Sequence, residues 1–356
     1  MKKFFVILLC ACMLFALVAC TPAGNNDDAS KEADYKLGMG IVVGTDSSKT
    51  GTAQVDATVA TVVTDADGKI VLCRVDVAQN KFALETDFTN TEKKFETKKE
   101  LKERYNMAAY GSDNNGDGVV LEWYKQAEAF ETFVVGKTVA DLETLKNDTQ
   151  EVNAHHITTN ADLLAAGCTM EIGDFCEAAI KACNDEQGMS FKAVAGTFTL
   201  GVAAKTTVDA ATKAATAEAD GVVAMYSDFA CAVVAEDGKV LATLNDAIQP
   251  KIAVNAANEI GATTFNGTKR ELKEGYNMAA YGSDNDGDGR VLEWYVQSAE
   301  FSKYAVGKTA TEIAALETEE VNKHFVSADA ALISAGCTMQ ITGIMAVVAQ
   351  AANYAY

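Results

Sequence analysis

Residues 111–123 read GSDNNGDGVVLEW, and residues 282–294 read GSDNDGDGRVLEW. Asp113, Asn115, Asp117 and Gly118 hold the spacing that opens a twelve-residue calcium loop, and Asp284, Asp286, Asp288 and Gly289 repeat it. Alternate side chains there aim oxygens at one centre, and glycine permits the sharp turn. A hard cation would relieve the repulsion among these carboxylates. The twelfth position, a bidentate Glu in such loops, holds Tyr124 or Tyr295, while Glu122 and Glu293 stand two residues earlier. Two readings stay open: a Ca2+ site closed by Glu122 and Glu293, and a solvated turn capping the helix that begins near Val120.

Other chemistry-bearing patterns are weaker. VGKT occurs at 135–138 and 306–309, but Glu131 and Ser302 stand where a phosphate loop needs glycine. The spacing therefore predicts turns with Thr138 and Thr309 as helix caps. His155, His156 and His324 lie in polar surroundings and read as surface residues. No nucleophilic triad is apparent. Of nine cysteines none forms a CxxC or CxxCH pattern, so zinc-ribbon, thioredoxin-like and c-type haem chemistry lack support. Disulfide pairing stays open, and isolated cysteines on apolar segments read as small core residues.

The leading segment bears on location. Lys2 and Lys3 precede an apolar run, Phe4 to Val18, that is too short to span a bilayer. It ends in Leu17-Val18-Ala19-Cys20, which resembles a bacterial lipobox. The resemblance implies a signal peptide at 1–19, a diacylglycerol on Cys20, and a protein held by lipid at the extracytoplasmic face of the cell membrane. Residues 20–34 are small and polar and read as a flexible tether. The formal charge of −20 opposes nucleic-acid binding and adhesion to anionic lipid, and favours attraction of cations.

The elements that must position these residues come in two copies. Tyr105–Tyr124 and Tyr276–Tyr295 differ only at Asn115/Asp286 and Val119/Arg290. TKKELKE at 97–103 matches TKRELKE at 268–274, and AGCTM recurs at 166–170 and 335–339. β-Branched alternation around Asp67-Gly68 and Asp237-Gly238 predicts hairpins over Val55–Val77 and Gly221–Leu244. Thr97 and Thr268, each followed by Glu three residues on, predict capping boxes. Trp123, Ala127, Phe130 and Val134 keep helical spacing, and Ile172–Cys183 and Ile341–Ala352 read as packed helices. The fold class is α+β: two tandem homologous domains, 35–185 and 190–356, each an antiparallel sheet followed by packed helices.

This order of hairpin, T-K-x-E-L, Y-x-M, E-W-Y, V-G-K-T and a small-residue Gly-x-Thr element before a closing helix resembles the extracytoplasmic FMN-binding domains of bacterial lipoproteins. The resemblance implies flavin mononucleotide (FMN) beside Thr169 and Thr338, in some members esterified to the threonine. Gly167 and Gly336 would give the phosphate room to approach. Tyr110 and Tyr281 would be the exposed rings nearest the flavin, while Trp123 and Trp294 read as core. Cys168 and Cys337 stand where that family has alanine. The implied function is a flavin carrier in extracytoplasmic electron transfer with unidentified redox partner proteins. The alternative is a non-catalytic binding or structural module with calcium-stabilised loops. Neither carries a substrate-level catalytic constellation.

Overall fold

The computed structural model describes residues 31–90, 93–110, 114, 116, 118–152, 155–281, 287, 289–321 and 323–356, without the side chain of Tyr110. Cys20 and its flanks lie outside the described residues. The chain is mixed α+β. Its first half runs β1 (Ala33–Gly44), β2 (Thr52–Thr64), β3 (Ile70–Ala83), α1 (Lys98–Leu101), α2 (Trp123–Phe133) and α3 (Val139–Asn147). A small hairpin, β4 (Thr149–Val152) and β5 (His155–Thr158), precedes α4 (Ala161–Ala165), α5 (Gly173–Cys183) and β6 (Met189–Ala193). The second half runs β7 (Phe198–Val208), β8 (Gly221–Ala235), β9 (Val240–Ile248), β10 (Lys251–Val254), β11 (Ile260–Thr264), α6 (Lys269–Leu272) and α7 (Trp294–Ala305). It closes with α8 (Ala310–Ala314), β12 (Thr318–Val321), β13 (His324–Ser327), α9 (Ala330–Ser334) and α10 (Thr342–Asn353).

The predicted hairpins form where the turn chemistry demands. Asp65 Oδ1 accepts the amides of Asp67 at 3.0 Å and Lys69 at 2.9 Å, so its side chain closes the β2–β3 turn. In the first sheet the order is β3-β2-β1-β6. In the second, β8 lies between β7 and the successive strands β9 and β10. The break between β9 and β10 falls at Gln249-Pro250, and proline has no amide to continue a ladder.

Both sheets are buried on both faces. Alternate β1 residues Leu37, Met39 and Ile41 join Leu200, Val202, Met225 and Phe229 of the other sheet in one apolar cluster. On the outer face of the first sheet pack α2 and α5, with α3 against α5, and α7 and α10 cover the second. The result is helix, sheet, sheet, helix. Gly38 and Gly201 set the distance of the closing helices. A Cβ at either would lie 1.9 Å from a helical carbonyl, Ala182 O or Ala351 O.

One feature differs from expectation and another goes beyond it. Met189–Ala193, placed by sequence in the second unit from residue 190, pairs with β1 and completes the first sheet. The halves also share their central core, because a sheet with two apolar faces needs a second cover and each finds it in the other.

Candidate functional site

The small-residue elbows are helix endings. After α4 the amide of Gly167 bonds Leu164 O at 2.9 Å and that of Cys168 bonds Leu163 O at 3.2 Å. Gly167 adopts φ +88°. This is the Schellman arrangement, which places glycine just past a helix end. Gly336 (φ +91°) and Cys337 repeat it after α9. Leu121 Cδ1 lies 2.4 Å from where a Cβ on Gly167 would be, and Leu292 Cδ1 stands likewise over Gly336. Thr169 is 3% exposed and Thr338 4%. Their amides donate to Gln126 Oε1 and Gln297 Oε1, each at 2.9 Å. The elbows are thus filled by leucine and glutamine side chains. A phosphate does not fit against Thr169, Thr338, Gly167 or Gly336, contrary to the expected opening.

The described parts of the acidic loops act as clasps. Glu122 Oε2 accepts the Met107 amide at 3.1 Å, and Glu293 Oε2 accepts the Met278 amide at 3.0 Å. Asn114 Nδ2 donates to Thr169 O at 2.9 Å, tying one loop to its elbow. Asp113, Asn115, Asp117, Asp284, Asp286 and Asp288 lie outside the described residues, as does the side chain of Tyr110. Among the described residues no group of three or more His, Cys, Asp or Glu is placed to hold a metal ion.

Beside the second elbow lies a cleft of about 650 Å³ whose wall includes Met339 and Gln340, the residues after Thr338. Lys269, which sequence reasoning passed over, forms part of this wall. Thr268 caps α6: its side chain accepts from the Glu271 amide, and Glu271 accepts from the Thr268 amide. That capping box fixes Lys269 as the first helical residue and turns it onto the sheet. Lys269 is 6% exposed. Its Nζ donates to the Tyr226 hydroxyl at 3.0 Å. It also lies 4.6 Å from the Tyr276 ring centre, 4.7 Å from that of Tyr226 and 5.2 Å from that of Trp294. Tyr281, 64% exposed, stacks on Tyr276 at 5.4 Å and extends the aromatic wall towards solvent.

Burial dominates the electrostatics. It brings the Lys269 amine down to about 8, against the opposing pull of Asp228 and Asp246. Burial also pushes the Asp228 carboxyl up to about 6, although Lys269 and the Tyr226 hydroxyl favour its ionised form. An amine, a phenol and a carboxyl thus form a linked group on a cleft wall. Such a group can bind a ring by stacking and can exchange protons near neutral pH.

The first half carries a variant of this group. Lys98 occupies the same place in its capping box, 5.0 Å from the Tyr105 ring centre and 5.5 Å from that of Trp123. Burial brings its amine to about 8, and Asp56, Asp76 and Asp174 oppose this. The carboxylates have changed places. By sheet register and repeat spacing, Thr58 stands for Asp228, and Asp174 at the head of α5 stands for Gly343. A Cβ at Gly343 would lie 2.5 Å from Asp228 Oδ2, so an acid at both positions would set two carboxylates side by side. The signal available in the sequence was the repeated T-K before E-L, whose lysine follows a cap facing buried strands.

Compared with known proteins, the chain matches no family model, no curated protein and no solved structure.

Proposed function

We propose that this is a binding protein, held at the extracytoplasmic face of the membrane by a lipid on Cys20, that takes a small planar ligand in the Lys269 cleft. The observation that carries the reading is the buried Lys269 within a cage of Tyr226, Tyr276 and Trp294 on the wall of an open cleft. Aromatic walls with few convergent polar groups are the ordinary make-up of a small-molecule site. FMN, which the family resemblance implies, is the first ligand to test: its ring suits the aromatic wall, and exposed Lys205 at the cleft offers a partner for its phosphate. When bound, flavin would supply one- and two-electron redox chemistry, while the residues here would hold and orient the ring.

The test is titration of the full chain with FMN, read by tryptophan fluorescence and the visible flavin spectrum. Saturable quenching that weakens at least tenfold in Lys269→Met supports both site and ligand. Saturable quenching unchanged in that variant moves the site elsewhere. No binding of FMN, or of other ring compounds screened in the same way, removes the reading.

A further inference from the structure

We infer that Lys269 is a reactive amine that captures a planar aldehyde or ketone as an imine. This rests on the cleft being a ligand site, though not on its ligand being flavin. Three observations carry it. Lys269 Nζ is held on the wall of the cleft by the Tyr226 hydroxyl at 3.0 Å, so it has one fixed direction of attack. Asp228, two residues further along β8, acts on both this hydroxyl and the amine, so a carboxyl stands close to the phenol. The rings of Tyr276 and Trp294 flank the amine and exclude water on two sides. The charged and titratable groups acting on Lys269 are Tyr226 and Asp228 from β8, Asp246 from β9, Asp209 after β7 and Tyr276. Desolvation leaves a usable share of the amine neutral near pH 7, as nucleophilic lysines require.

The step balances without a further reactant. The Nζ lone pair forms a bond to the carbonyl carbon, and the carbonyl π pair passes to oxygen. That oxygen takes one proton by way of the Tyr226 hydroxyl, then a second, the two that the nitrogen releases, and leaves as water. The nitrogen, having lost both protons, forms the C=N bond.

The experiment incubates the full chain with 4-carboxybenzaldehyde and cyanoborohydride and locates the reduced adduct by peptide mass spectrometry. The analogue 4-(hydroxymethyl)benzoate, which cannot form an imine, is titrated in parallel by tryptophan fluorescence. Lys269 should be modified about tenfold or more faster at pH 7 than exposed Lys205, because burial lowers the pKa of the Lys269 amine. Its rate should level off above pH 8, and Tyr226→Phe should slow it. Adducts spread over exposed lysines with Lys269 unmodified overturn the inference. If the alcohol still binds in that case, the ligand-site reading survives. If neither compound binds, both readings fall. The measurement is made on the unaltered chain, so it does not depend on a Lys269 variant folding.

Discussion

Asp246 is buried, and its Oδ1 accepts the amides of Ala247 at 2.7 Å and Arg270 at 3.0 Å. The second bond holds the residue next to Lys269, so this carboxylate helps to place the cleft's amine. Burial outweighs the Arg270 charge and pushes its carboxyl up to about 6. Between pH about 4 and about 6 the folded chain therefore keeps a proton that the unfolded chain has released. The stability due to that proton is present below the lower value and lost as pH rises through the upper one. Asp246→Asn keeps an acceptor oxygen and does not titrate. The stability of the natural chain relative to this variant should fall by about 2–3 kcal/mol from pH 4 to pH 7, since each pKa unit is about 1.4 kcal/mol. Urea unfolding of both proteins at each pH measures this, and a difference that is flat or rises with pH would refute the assignment. Gly343→Asp makes a second residue-scale prediction. It sets a second carboxylate against Asp228 and should lower stability, while adding Asp228→Thr, which recreates the first-half pair, should recover part of the loss in thermal melts.

At the scale of elements, Thr268 and Gly201 do the positioning. Thr268→Ala removes the cap of α6 and should cost about 1 kcal/mol. It should also weaken ligand binding more than that loss of stability explains, because Lys269 loses its anchor. Titrating the cleft with the variant fully folded separates the two effects. Gly201→Ala places a methyl carbon 1.9 Å from Ala351 O, a backbone atom that cannot turn aside. It should lift α10 from β7 and cost about 1–3 kcal/mol or more in denaturant unfolding. Much of this layer was legible in the sequence. Capping boxes, D-G turns and helical spacing are local signals, and the structure has them at Thr97, Thr268, Asp65 and Trp123. What was not legible depends on contacts distant along the chain. β1 and β7 carry the glycines that admit the closing helices, and these blur a strand's alternation. The A-G-C-T element read as a ligand elbow, although its glycine answers to a helix ending and to Leu121. The T-K before E-L marks Lys269 as the residue after a helix cap, but its cage of Tyr226, Tyr276 and Trp294 comes from segments distant along the chain.

At the scale of the whole molecule, the halves are locked by reciprocal contacts. Arg270 of the second half donates to Asp185 Oδ2 of the first at 3.0 Å and to Gln187 O at 2.9 Å, with both ionic side chains buried. On the opposite side Tyr356 of the second half receives Lys99 Nζ on its hydroxyl at 2.8 Å and Arg74 over its ring at 3.9 Å. Arg270→Ala leaves Asp185 buried without its cation and should cost about 3–5 kcal/mol. With one core common to both sheets, scanning calorimetry of the full chain should show a single transition, lowered but not split in that variant. Two resolved transitions would mean that the shared core does not couple the halves. Covalent union of the copies has a further effect on heredity. Were the same body assembled from two identical chains, every change near one lysine would be imposed at once on its twin. In a single polypeptide each side mutates alone, so Asp174 could persist in one half while Gly343 cleared space for Asp228 in the other. A single chain therefore lets the two pockets differ, as Asp174 and Gly343 do.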